Sequence, residues 1–255
     1  MKGLILKDLM CLRKQLIIFS YIVVSALVLS VMYVFSARYG NIALANEGMM
    51  LENGMSSIDI KNLSTWVLSI FLLLPIATVG DAATIFTEDG KAGFSGVSAS
   101  LPLSVEKRVM AKYMTVFVMF GIGVATDLLI LSVLSVLTDM VSFAEFFGMI
   151  ISAASLMSIY GALVIVFCFL LGHGKEDYAV FSSCIVIVLT AILVNIHKLK
   201  KLFAPASDAE GTQAFDAFIH FFKQKYYVLF FLAVITMAVS YFASVWIAKR
   251  KRGVV

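Results

Sequence analysis

Long apolar runs separated by short charged segments dominate the chain. Six of these runs are close to, or longer than, the roughly 20 residues that cross a bilayer as a helix. They cover about residues 16–36, 63–86, 113–137, 143–171, 178–196 and 226–248. The first run exceeds the roughly 7–15 apolar residues of a signal-peptide core, so we interpret it as a retained anchor. The pattern predicts an all-α, polytopic integral membrane protein in which residues 1–255 form a single transmembrane domain.

Composition supports a lipid environment. Hydrophobic residues make up 61% of the 255 residues, and charged residues only 14%, whereas a soluble domain carries about 25% charged residues. The net charge of +4 comes from short basic clusters between the apolar runs, which does not indicate a nucleic-acid partner. Three cysteines form no CxxC pair, and three histidines have no metal-ligand spacing. We therefore expect no metal site.

Basic residues in the connecting segments predict the orientation, since Lys and Arg are retained on the cytoplasmic side. They cluster at the N-terminus, after the second and fourth spans, and at the C-terminal end, which places both termini in the cytoplasm. The residues are Lys2, Lys7, Arg13, Lys14, Lys91, Lys107, Arg108, Lys112, Lys175, Lys249, Arg250, Lys251 and Arg252. The loop after the fifth span departs from this rule, because it carries Lys198, Lys200, Lys201, Lys223 and Lys225 on the outside.

The N-terminal segment has the spacing of a short amphipathic helix. Ile5, Leu9 and Leu12 recur at helical intervals, with Lys7 and Lys14 on another face. Such a helix is expected to lie in the headgroup plane. It is either a generic membrane anchor or an elbow that fixes the entry of the first span.

Enzyme motifs are absent from the sequence. No GxxxxGK[ST] segment is present to bind nucleotide phosphates, and neither HExxH nor GxSxG occurs. We therefore predict that the chain is not an enzyme, with no catalytic residues and no cofactor of its own.

The longest cytoplasmic connection, residues 87–112, is the most informative. It opens with Glu88 and Asp89, continues through Gly90 to Phe94, and passes Pro102 before a basic cluster. Ser104 is expected to cap a helix that runs on into the third span. A short element lying across the membrane face and exposing the acidic pair and Phe94 suits docking on a soluble protein. An ordinary solvated loop has the same composition.

Three segments give the chain a family resemblance. They are the opening MKGLILKD (residues 1–8), the turn FTED (86–89), and SLPLS (100–104) followed by Lys112 and Tyr113. In these segments and in its layout, the chain resembles the membrane subunits of bacterial type-2 ABC exporters. Those permeases have six spans, an N-terminal elbow helix, and a coupling helix between the second and third spans. Within that family the chain is similar to the small permeases that export amphipathic peptides, such as the phenol-soluble modulin exporter.

The resemblance implies partners and a mechanism. Two permeases, identical or different, pair in the bacterial cell membrane, and two ABC ATPase subunits that bind ATP and Mg²⁺ dock below them. The coupling segment, with Glu88, Asp89, Gly90, Phe94 and Pro102, then carries the closure of the ATPases into the spans. Amphipathic, antimicrobial or cytolytic peptides are the implied substrates.

Charged groups inside the spans are functional candidates, because placing them in lipid is costly. Asp81 lies toward the cytoplasmic end of the second span, and Asp127 near the middle of the third. Asp127 either contacts substrate, pairs with a basic group, or is protonated and hydrogen-bonded to a neighbouring helix, and we favour the last. Pro75 is expected to kink the second span.

Two other function classes fit the missing nucleotide motif. One is a secondary transporter or channel that needs no ATPase, and the other is a membrane immunity or sensor protein. Only the exporter interpretation assigns a role to the segment between Glu88 and Arg108.

Overall fold

The computed structural model describes residues 2–40, 67–77, 82–92, 103–137, 142–172, 174–202 and 225–252. Within these ranges the chain forms eight helices and no strand. The helices are α1 (Lys2–Cys11), α2 (Arg13–Tyr39), α3 (Val67–Ala77), α4 (Ala83–Lys91), α5 (Val105–Leu137), α6 (Phe143–Leu171), α7 (Glu176–Leu202) and α8 (Tyr226–Arg252).

Four helices are long and apolar enough to cross a membrane. The segments are Arg13–Ser36, Val105–Leu137, Phe146–Leu171 and Tyr226–Lys251, which coincide with the predicted first, third, fourth and sixth spans. The third begins earlier than its apolar run. The N–H of Lys107 donates to Ser104 Oγ at 3.4 Å, which confirms the predicted cap. The helix therefore begins about two turns before the apolar run that starts at residue 113.

The predicted second span, 63–86, corresponds to two shorter helices. α3 is described as far as Ala77, two residues after Pro75, and α4 continues to Lys91. The acidic pair Glu88 and Asp89 therefore lies on a helix, and our placement of it in a loop was wrong. The apolar run ends at Phe86, but ion pairs of Asp89 hold the last turn of α4 in place. A hydropathy pattern does not reveal such pairs.

The predicted fifth span, 178–196, lies within the 27 residues of α7. A tight turn joins α7 to α6. Gly172 and Gly174 both adopt positive φ, at 85° and 80°, which favours glycine because it lacks a Cβ atom. Glu176 Oε1 accepts a hydrogen bond from the Gly174 N–H at 3.0 Å. α6 and α7 consequently run as antiparallel neighbours.

Two apolar clusters hold the bundle together, one toward each end. The first joins α1 and α2 to α4, α5, α6, α7 and α8, and includes Leu12, Phe86 and Val116. The second joins α2, α3, α5 and α6, and includes Leu72 and Leu134. α8 packs most extensively along α6.

The two described ends of the chain lie at the same end of the bundle. Lys112 at the start of α5 contacts Asp8 of α1 at 3.1 Å. Lys249 near the end of α8 contacts Glu106 of α5 at 2.5 Å, and Lys251 Nζ donates to the carbonyl of Leu170 at 2.8 Å. A chain whose two ends lie at the same end of the bundle traverses the bundle an even number of times.

The crossing of α5 and α6 depends on a glycine. A Cβ atom added to Gly161 would lie 3.3 Å from Cε2 of Phe120, whereas one added to Gly121 meets nothing within 4 Å. We predict that Gly161→Leu lowers the free energy of unfolding by about 1–3 kcal/mol through overpacking.

Thermal unfolding in mild detergent measures this effect, and Gly121→Leu is the matched control on the lipid-facing side. Equal unfolding temperatures for the two variants would contradict the close approach of these helices.

Candidate functional site

Four charged side chains from three helices meet at the end of the bundle where both chain ends lie. They are Lys7 and Asp8 of α1, Asp89 of α4 and Lys112 of α5, and we call this group the charged junction. Asp8 is 1% exposed and Asp89 6%, so the two carboxylates are withdrawn from solvent. Acidic residues are almost never buried to this degree unless they are paired.

Each ammonium group of the charged junction contacts both carboxylates. Lys7 Nζ lies 2.8 Å from Asp8 Oδ1 and also contacts Asp89 Oδ1. Lys112 Nζ lies 3.1 Å from Asp8 Oδ1 and also contacts Asp89 Oδ2. The four charges thus alternate around a closed ring and sum to zero. Such a network offsets the cost of desolvation because no charge faces the apolar interior without a counter-charge.

Lys7 stays cationic in this setting. Burial by itself lowers the pKa of Lys7, but hydrogen bonds to Asp8 and Asp89 and their negative charges outweigh it, so the pKa is raised above 10.5. A raised folded-state pKa stabilises the fold at every pH below the ordinary value. That contribution disappears only as the pH rises through the raised pKa. The junction therefore keeps Lys7 charged throughout the neutral range.

Aromatic packing surrounds the junction on its inner side. Lys112 Nζ lies 5.4 Å from the centroid of the Phe86 ring, within the range of a cation–π interaction. Phe86 in turn packs edge-on against Phe169 of α6 at 5.3 Å. Next to the junction, Gln15 Nε2 donates to Thr84 Oγ1 at 2.7 Å, which ties α2 to α4. The junction is thus anchored to the first apolar cluster.

The predicted coupling residues have different positions in the structure. Glu88 is partly exposed and pairs with Lys91 of its own helix at 2.9 Å, while Gly90 lies in the last turn of α4. Asp89 was predicted to be exposed, and that was wrong, because its carboxylate is enclosed by the two lysines of the junction. Phe94, Pro102 and Asp81 lie outside the described residues.

Asp127 occupies the interior of α5, away from the junction. Its side chain is 0% exposed. The backbone N–H of Ile76 in α3 approaches it, yet neither carboxyl oxygen makes a hydrogen bond of normal geometry within the described ranges. The hydrogen bond to a neighbouring helix stays a prediction, with the Ile76 N–H of α3 as its candidate donor. Ser30 Oγ on α2 is also buried without a hydrogen bond among those residues.

Sequence reasoning missed the pairing of Asp89 with Lys7, Asp8 and Lys112. The partners lie 82 residues from Asp89 in one direction and 23 in the other, so no local pattern links them. One signal was available: Lys7 and Asp8 stand side by side between the apolar residues of α1. A buried face that carries a charge requires a partner from elsewhere in the chain.

Comparison with known proteins gives one match. A family model described as "ABC-2 family transporter protein" matches residues 3–250, which is nearly the whole chain. No match was found among curated proteins, and none among solved structures. The matched range includes all four residues of the charged junction.

We predict that Asp89→Asn lowers the free energy of unfolding by about 2–3 kcal/mol. Removing one partner of a buried ion pair costs about 3–5 kcal/mol, and the value here is smaller because the Lys7 side chain is 25% exposed. Thermal unfolding in mild detergent provides the measurement. The adjacent Glu88→Gln is the control, and it should cost under about 1 kcal/mol because its ion pair is on the surface.

A double substitution separates charge balance from packing. Asp89→Asn with Lys112→Gln removes one charge of each sign and leaves the Lys7–Asp8 pair, which is 2.8 Å apart. We expect it to recover part of the stability lost in Asp89→Asn alone. Strictly additive losses would show that the four groups do not act as one network.

Proposed function

Because the chain belongs to the ABC-2 family of transporter proteins, we propose that it is the permease subunit of an ATP-driven exporter. The observation that carries this proposal is the family match over residues 3–250 of a multi-pass helical bundle. Permeases of this family generally work with an ATPase subunit. The sequence contains no nucleotide-binding motif of the GxxxxGK[ST] type, so the partner ATPase binds ATP and Mg²⁺ and performs the hydrolysis.

The proposed topology has six spans. α2, α5, α6 and α8 are four of them, α3 together with α4 forms the second, and α7 the fifth. α1 is the elbow helix at the membrane surface. Both ends of the chain then face the cytoplasm of a bacterial cell, in keeping with the basic residues at both ends.

Reporter fusions test this topology. A cytoplasmic reporter fused after Arg252 is expected to be active, and one inserted between Lys198 and Lys225 inactive, because an odd number of crossings separates these points. An extracytoplasmic reporter at the same two positions serves as the control and should give the reverse pattern. A cytoplasmic signal from the second position would rule out the six-span arrangement.

The charged junction gives the coupling segment a fixed base. Asp89 at the end of α4 and Lys112 at the start of α5 contact each other, so the two ends of residues 90–111 are held together. Asp8 and Lys7 connect the same base to α1. A push on the coupling segment by an ATPase is therefore transmitted to three helices at once, α1, α4 and α5.

The docking surface itself comprises Glu88 and Phe94. Glu88 projects from α4 with a partly exposed carboxylate, and a basic rim on the ATPase is its counterpart. Phe94 supplies the buried anchor, since aromatic side chains dominate interface hot spots. Gly90, in the last turn of α4, and Pro102 complete the proposed coupling residues, whereas Asp89 acts from inside the junction.

Two permeases are proposed to form the complete exporter. α2 and α7 keep rows of exposed large apolar side chains along their length; on α7 these include Phe181, Ile185 and Val188. A second permease covers part of such faces, and lipid covers the rest. Amphipathic peptides, including antimicrobial or cytolytic ones, are the proposed substrates, as the sequence resemblance implies.

We predict that Glu88→Ala combined with Phe94→Ala weakens co-purification of the ATPase at least tenfold and abolishes export. The loss of one aromatic anchor costs about 2 kcal/mol or more, which exceeds a tenfold change in affinity. Co-purification of the pair and ATP turnover in proteoliposomes provide the measurements. Insertion of the variant into the membrane is checked in parallel.

Lys91→Ala is the matched control, because it breaks the Glu88–Lys91 pair while leaving the Glu88 carboxylate available to a partner. It should retain binding and export. Normal binding and turnover by the double variant would show that the segment does not couple the two subunits. Transport without any ATPase would instead favour a secondary transporter or channel.

A further inference from the structure

A groove on the outer surface of the bundle runs between α5 and α8. It has a volume of about 530 Å³, a size typical of sites for small ligands, which range over about 300–1,000 Å³. Apolar side chains form most of its wall, namely Met110, Met114, Phe117, Met237, Ala238 and Phe242. Tyr113 forms the floor, where its hydroxyl lies 3.0 Å from Ser244 Oγ and its ring packs edge-on against Tyr241 at 5.8 Å.

The groove extends from the headgroup region into the adjacent leaflet of a bilayer. Its lining on α5 extends from Glu106 to Phe117, which spans about 17 Å at 1.5 Å per residue. Half of the hydrocarbon core is about 15 Å thick. The groove begins beside Lys107, at the bundle end that carries both described ends of the chain, and finishes ten residues, or about 15 Å, before Asp127 near the middle of the span. An acyl chain of that leaflet has the polarity and the length to fill it.

The outer end of the groove is basic. Lys107 lines it on α5. On α8, Phe242, Trp246 and Arg250 follow one another at four-residue spacing and so share a face, with the Arg250 guanidinium 5.5 Å from the centroid of the Trp246 ring. Glu106 and Lys249 neutralise each other at 2.5 Å. The headgroup end therefore has two cations, Lys107 and Arg250, beside one neutral pair.

We propose that this groove is a binding site for an anionic phospholipid. One acyl chain lies against the methionines and Phe117, and the headgroup phosphate lies between Lys107 and Arg250. The flexible methionine side chains suit a chain of variable shape. The bound lipid bridges α5, which carries Lys112 of the charged junction, to α8, and so connects the first apolar cluster to the membrane surface. The proposal depends on the chain spanning a membrane and not on its pairing with an ATPase.

The test titrates purified protein in mild detergent with phosphatidylglycerol or phosphatidylcholine and counts bound lipids by native mass spectrometry. One phosphatidylglycerol is expected to bind each chain more tightly than phosphatidylcholine. Lys107→Gln with Arg250→Gln should weaken phosphatidylglycerol binding at least tenfold, since each basic residue near the surface contributes about a fivefold attraction to anionic lipid. Binding of phosphatidylcholine should stay unchanged.

Ala238→Phe tests the position of the acyl chain. Ala238 is exposed in the groove, so a larger side chain fills the groove without entering the core, and it should weaken both lipids. Arg13→Gln with Lys14→Gln removes two exposed charges at the same membrane end but outside the groove, and it should change neither affinity.

Three results would overturn the proposal. The first is equal binding of the two lipids by the unmodified chain. The second is the same loss of phosphatidylglycerol in the Arg13 and Lys14 control, which would assign the preference to general surface charge. The third is unchanged lipid binding by Ala238→Phe together with loss of a dimer, which would make a second copy of the chain the occupant.

Discussion

Charge pairing in a water-poor environment governs the end of the bundle on which the proposed function depends. A carboxylate withdrawn from water costs several kcal/mol unless counter-charges and hydrogen bonds replace its hydration. Asp8 and Asp89 meet that cost by sharing the same two ammonium groups, Lys7 and Lys112. Withdrawal of α4 or α5 would leave one ion without its balancing charge, and withdrawal of α1 would remove one ion of each sign from the ring. The arrangement therefore fixes α1, α4 and α5 relative to one another more firmly than apolar packing, which tolerates sliding, would fix them.

This constraint explains why the short N-terminal helix α1 contributes to the packing of the bundle. α1 packs chiefly against α5, and Leu12, which follows its last residue, is buried in the first apolar cluster. α4 continues past the end of its apolar run because Asp89 must reach the lysines. Asp89 thereby joins the end of α4 to Lys112, which lies about two turns inside α5.

The sequence predicted the apolar helices well because their signal is local. Hydrophobic runs of membrane-spanning length located α2, α5, α6 and α8, and Ser104 marked the start of α5 through its capping hydroxyl. The extension of α4 and the burial of Asp89 were not predictable in that way, since they depend on partners far along the chain. The segments that carried the family resemblance, residues 1–8, 86–89 and Lys112, nevertheless supply the charged junction. Their shared role was visible only once folding had brought them together.

Asp127 shows how differently the same chain treats another buried carboxyl group. It lies among apolar side chains of α5, and within the described ranges no cation or donor of normal geometry satisfies it. The charged junction holds its ions at one end of the bundle, where Lys7 and Lys112 remain partly exposed and water lowers the cost of each charge. Water does not reach Asp127 deeper in the bundle, so a carboxyl group at that position lowers the stability of the fold. The same type of side chain is thus paired with two ammonium groups at one level of the bundle and enclosed by apolar helices at another, and the lower dielectric constant of the interior makes the second position the costlier one for a charge.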